Sequence, residues 1–93
     1  MSAYLVFFAA GPVDDALADA IRDRVRAVPG AGWFDDPGGE RTTGGYVRAE
    51  SPEAQHGRDL LAAARDLSAT HGVVIEVQWR EEVLGHLEGG DWR

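Results

Sequence analysis

The chain contains no cysteine, no lysine and no asparagine, and only one methionine. Without cysteine there is no disulfide framework, no thiol nucleophile and no thiolate zinc site. All nine basic residues are therefore arginine. Lysine and asparagine have AT-rich codons, so their absence beside plentiful alanine, glycine and valine points to a high-GC bacterial genome rather than to a binding function. Long apolar runs are missing too. The stretch Tyr4 to Ala10 falls far short of the ~20 residues that span a bilayer, and no basic residue precedes it as a signal peptide requires. The expected location is the cytoplasm, with no membrane partner.

Acids outnumber arginines sixteen to nine, for a formal charge of −7. Such a surface repels a phosphate backbone, and no local cluster of bases offsets it, so nucleic acid is not an expected partner. An acidic surface favours solubility and attracts basic partners over a Debye length. With 44% hydrophobic and 27% charged residues, the 93-residue chain has the composition of one folded domain. It is expected to span 1–93, with 88–93 as a loose tail.

Tyr4 to Ala10 is apolar on both strand faces and is stopped by Gly11-Pro12, which predicts an interior strand. Pro12, Asp14 and Asp15 suit the first turn of a helix. Leu17, Ala20, Ile21, Val25 and Val28 then form one apolar stripe, and Pro29-Gly30 ends the helix. A short strand is expected over 31–35, turn chemistry over 36–40, and a third strand over 44–50. Gly44 and Gly45 at its start predict a bulge or a close backbone approach. Ser51-Pro52-Glu53 reads as a helix N-terminus with serine as the cap, and Gly72 as the C-terminal stop. Its inward stripe is Gly57, Leu60, Leu61, Ala64, Leu67 and Ser68. Val73, Ile75, Val77 and Trp79 alternate with Val74, Glu76, Gln78 and Arg80, a strand with one apolar face. Val83, Leu84 and Leu87 fit a short helical turn closed by Gly89-Gly90, and the same stretch also fits a small edge strand; the helical turn is slightly preferred.

The order strand–helix–strand–strand–helix–strand predicts an α+β, ferredoxin-like βαββαβ sandwich. Right-handed crossovers place the first and third strands in the middle of a four-stranded antiparallel sheet, with both helices on one face and a short C-terminal tail. The other face is left open. It should carry Tyr46, Arg48, Glu76, Gln78 and Arg80, with at least one phenylalanine from the first strand. Soluble monomers rarely leave such a patch bare. These five residues are the candidate binding site, unless residues 81–93 fold back over them. Asp35, Asp36 and Glu40 in the hairpin loop are a candidate docking point for a basic partner; their spacing does not fit a calcium loop. An open sheet face also resembles the platform of RNA-recognition modules, but Gly45-Tyr46-Val47-Arg48 sits among acids rather than bases.

No catalytic constellation can be assembled. His56, His71 and His86 lie on different elements without a metal-ligand spacing, Ser51 has no nucleophile-elbow context, and Gly38-Gly39 has no phosphate-loop pattern. No metal and no cofactor are expected. Two functions remain. The first is a small acidic module that binds another protein through its open sheet face, of the inhibitor or immunity type, for a basic partner. The second is a homodimeric α+β-barrel enzyme or binding protein with a pocket between two sheets. Trp79-Arg80-Glu81-Glu82-Val83-Leu84-Gly85-His86-Leu87 resembles the tryptophan-to-histidine stretch of antibiotic-biosynthesis monooxygenase-type barrels. The likeness is confined to residues 79–87, and no catalytic residue is carried over from it.

Overall fold

The computed structural model describes residues 2–93. Alternation in the first strand, β1 (Ala3–Ala10), resolves its two apolar faces: Leu5, Phe7 and Ala9 are buried, while Tyr4, Val6 and Phe8 point the other way. α1 (Asp15–Arg26) starts later than expected. Asp14, not the Pro12 region, forms its cap, accepting a hydrogen bond from the Leu17 N–H at 2.8 Å. Ile21 and Val25 are buried as the stripe requires. β2 (Gly32–Asp36) and β3 (Thr42–Ala49) form the hairpin.

α2 (Gln55–His71) also begins a turn later than its serine predicts. The Ser51 hydroxyl does accept from a backbone N–H, that of Ala54 at 3.2 Å, but it closes a tight turn ahead of the helix. Gly57 is what lets that turn lie on the helix: a Cβ there would sit 2.5 Å from the Pro52 carbonyl oxygen. Gly72 ends α2 in the left-handed conformation, φ 65°, which glycine adopts without cost.

The expected architecture is met in part. The protein is α+β, with two helices and an antiparallel sheet, but the sheet has six strands in the order β2-β3-β1-β4-β5-β6. β4 (Val74–Trp79) is followed by β5 (Glu82–Glu88) and β6 (Asp91–Trp92), so the strand reading of this stretch holds and the preferred helical turn does not. The connection explains the difference. Arg80 and Glu81 take positive φ, 54° and 68°, the pairing that a two-residue hairpin needs to match strand twist. Once the chain reverses, Leu87 lands opposite Ile75 and is fully buried with it. A bulge between Val77 and Gln78 accommodates the apolar pair Val83-Leu84, whose helical spacing to Leu87 is what misled the periodicity. Residues 88–93 finish β5, turn at Gly89-Gly90 and form β6, where the Arg93 N–H donates to the His86 carbonyl at 2.9 Å.

The core lies between one sheet face and the helices: Leu5, Phe7, Val47, Ile75, Val77 and Leu87 meet Ile21, Val25, Leu60, Ala64 and Leu67. Buried Ser68 ties the new hairpin to α2, accepting from the Gly90 N–H at 2.9 Å and donating to the Arg65 carbonyl at 3.0 Å. Among the described residues, no helix is long and apolar enough to cross a membrane.

Candidate functional site

The sheet face opposite the helices is built from the alternate residues of β1, β3 and β4. Register fixes their rows. Tyr4 lies beside Arg48, and the Arg80 N–H donates to the Tyr4 carbonyl at 3.3 Å. The next row sets Val6 between Tyr46 and Gln78, and the third sets Phe8 between Gly44 and Glu76, with Phe34 beyond Gly44. Gly44 is needed because a Cβ there would press on the β1 backbone at Phe7 and Phe8. Gly32 is needed because the Tyr46 ring lies across it: a Cβ would come within 2.5 Å of Cζ.

The aromatic part of this face is organised. The Tyr4 and Tyr46 rings meet edge to face at 5.9 Å and 77°, the arrangement that ring quadrupoles favour. The Arg48 guanidinium stacks over Tyr4, 5.4 Å from its centroid. Tyr4 is 49% and Tyr46 39% exposed, high values for large rings on a sheet face. Together with Val6, Phe34, Gln78 and Arg80 they line an open groove of about 690 Å³. Residues 81–93 do not cover it; they extend the sheet sideways, and of them only Glu81 reaches the groove lining.

Four of the five predicted site residues, Tyr46, Arg48, Gln78 and Arg80, therefore share one groove. Glu76 stands a row away, outside its lining. Glu76 accepts from the Gln78 amide at 2.6 Å and meets His86 Nε2 at 3.1 Å. Tyr4, Phe34 and Glu81 were not singled out by the sequence reading. Tyr4 could not be, because a strand apolar on both faces carries no parity signal. The His86 contact depends on β5 being a strand, which the helical reading of that segment concealed.

The loop acids do not act together. Asp35 is clamped by Arg41, whose Nε and a terminal nitrogen donate to its two oxygens at 3.0 and 2.9 Å, and by the Thr43 hydroxyl at 2.8 Å. Arg41 also donates to Asp15 at 2.7 Å, joining the hairpin to α1. The hydrogen bonds from Arg41, then from Thr43, hold the Asp35 carboxyl down at about 2 against an ordinary 3.8. The Arg41 guanidinium is correspondingly raised, first by Asp35 and then by Asp15. Asp36 accepts from the Gly38 N–H at 3.0 Å, closing its own turn, and Glu40 stands exposed. Among the described residues, no group of His, Cys, Asp and Glu side chains could hold a metal ion.

Compared with known proteins, the chain matches no family model, no curated protein and no solved structure at a significant level.

Proposed function

We propose that this chain is a cytoplasmic protein-binding module whose working surface is the open sheet face. Its first four strands and two helices are read as a ferredoxin-like unit, lengthened by the β5–β6 hairpin. One observation carries the reading: an aromatic groove of about 690 Å³, floored by Tyr4, Tyr46 and Phe34, stays uncovered by the chain's own C-terminal segment. Tyrosine and arginine at the centre of a patch are the residue types that anchor protein interfaces. The acidic surplus lies elsewhere, along α1 and in the loops, where it steers approach rather than making the central contact.

Site-specific photo-cross-linking in the source cell tests this. A photoreactive phenylalanine at position 46 is expected to capture a protein, and excess unmodified chain should abolish the adduct. The same probe at position 19, on the outer face of α1, should capture none. Equal labelling at the two positions, or none at 46, would overturn the reading. The groove's volume favours a second reading, since it lies within the ~300–1,000 Å³ of ligand pockets. In that case two copies would face each other with a small molecule sealed between them.

A further inference from the structure

The two cations of the groove, like Arg26, Arg58 and Arg65 elsewhere, have no carboxylate partner among the described residues, but they alone stand together on one surface. Arg22 pairs with Asp19 and Asp23, Arg24 with Asp66, Arg41 with Asp15 and Asp35, and Arg93 with Glu88. Arg48 and Arg80 do not. Among the described residues neither has a carboxylate at ion-pair distance, although acids outnumber arginines sixteen to nine. Even Glu81, the next residue in the chain and a neighbour on the groove wall, is not engaged with Arg80.

Their placement is specific. Arg48 on β3 and Arg80 in the turn just past the end of β4 flank the same residue, Tyr4, from either side, so their Cα atoms stand roughly 10 Å apart across two inter-strand spacings. Side chains as long as arginine can converge on one group across that gap. A guanidinium stacked on a ring, as Arg48 is on Tyr4, keeps its in-plane N–H donors available for a bidentate acceptor. The apolar floor of Tyr4, Tyr46, Phe34 and Val6 adjoins this pair.

We infer that the partner seated in this groove is a protein segment presenting a carboxylate side chain beside an aromatic one. The carboxylate bridges Arg48 and Arg80, and the aromatic ring lies on Tyr46 and Phe34. The inference rests on the docking reading above and adds the chemistry of what docks. It also separates two roles of charge: the net −7 of the whole chain favours basic partners at long range, whereas the contact itself takes an acid.

The probe is the peptide acetyl-Phe-Glu-Phe-amide, titrated into the isotopically labelled protein and read by backbone and side-chain NMR shifts. Its glutamine, lysine and phosphoserine counterparts serve as comparators. The glutamate peptide is expected to shift Tyr4, Tyr46, Phe34 and Arg48, and to bind about tenfold more tightly than the glutamine one, the difference between charge-assisted and neutral hydrogen bonds. The double variant Arg48→Gln, Arg80→Gln should erase that preference while keeping the thermal midpoint, since both side chains are exposed. Equal binding of the glutamate and glutamine peptides overturns the inference, as does tighter binding of the lysine peptide. Tighter binding of the phosphoserine peptide also overturns it, by making the site one for phosphate. If no peptide shifts the groove the inference falls, while the cross-link at position 46 still decides the docking reading independently.

Discussion

Arg41 is the residue on which the hairpin's geometry turns. A planar guanidinium can bind a carboxylate with two parallel bonds and still have a donor to spare, and Arg41 uses both options, with Asp35 and Asp15. The consequence for Asp35 is a carboxyl held at about 2, below its ordinary 3.8. Because the folded value lies below the unfolded one, the unfolded chain binds the proton more readily. The stability from this clamp is present above pH ~4 and is lost as pH falls toward ~2. Urea unfolding of the wild type and of Asp35→Asn should therefore show the variant less stable near neutrality, with the gap closing across that acid window. A gap independent of pH would mean that the carboxylate's charge is not what the clamp uses. At the same scale, Arg48 and Arg80 differ from Arg41 only in what surrounds them. Among the described residues, carboxylates reach Arg41 and none reaches the two arginines of the groove.

The C-terminal hairpin decides what the open face becomes. Folded back, it would have covered Tyr4 and Tyr46; paired with β4 instead, it widens the sheet and leaves them bare. Its place in the sheet is held by Leu87, fully buried against Ile75 and the core, whereas Leu84 at the bulge is 47% exposed. Leu87→Ala is expected to cost about 2–5 kcal/mol, as for other buried leucines. Leu84→Ala should cost within ~0.5 kcal/mol, as at ordinary surface positions. Chemical denaturation of the two variants measures this, and similar small costs at both positions would mean that β5 does not belong to the cooperative unit. On the other side of the sheet the glycine pair in β3 shows how sequence and packing divide the work. Gly44 admits the β1 backbone and Gly45 admits Val25 of α1. The two adjacent glycines announced a close approach, but not which neighbour each would meet.

For the whole molecule, the question is whether the open face is satisfied by a second copy. Stacking two such faces would bury Arg48 and Arg80 of each copy. Glu76 is already engaged by Gln78 and His86, so the described groove lining offers one carboxylate, Glu81, for the two arginines of each copy and leaves one guanidinium of each without a partner. Burying guanidinium groups without carboxylates is costly, and self-association interfaces are more apolar at their core than this. The isolated protein is therefore expected to run as a 10.0 kDa monomer by light scattering, at both low and high salt. A salt-resistant dimer that dissociates on Tyr46→Arg would show instead that the second copy is the occupant. It would favour the reading with a small molecule between sheets.

The sequence by itself determined the α+β class, the order of the first six elements and most of the inward residues of β3, β4 and both helices, with buried Ala18, Thr43 and Ala63 left out. Each of these is written in local periodicity and in turn chemistry at Gly11-Pro12, Pro37-Gly38 and Gly72. It also placed Tyr46, Arg48 and Gln78 on one surface, because period-two alternation and strand order together fix which side chains are neighbours; Arg80 joins them from the turn just past β4. Three things were decided only in the tertiary structure. One is which apolar face of β1 turns to the helices, since both faces are apolar and only packing against Ile21 and Val25 distinguishes them. Another is the strand character of residues 82–88, where helical spacing lost to the buried fit of Leu87 against Ile75. The last is the difference between paired and unpaired arginines. Charge pairing over tens of residues, as between Arg24 and Asp66, depends on distances in space that no local pattern records.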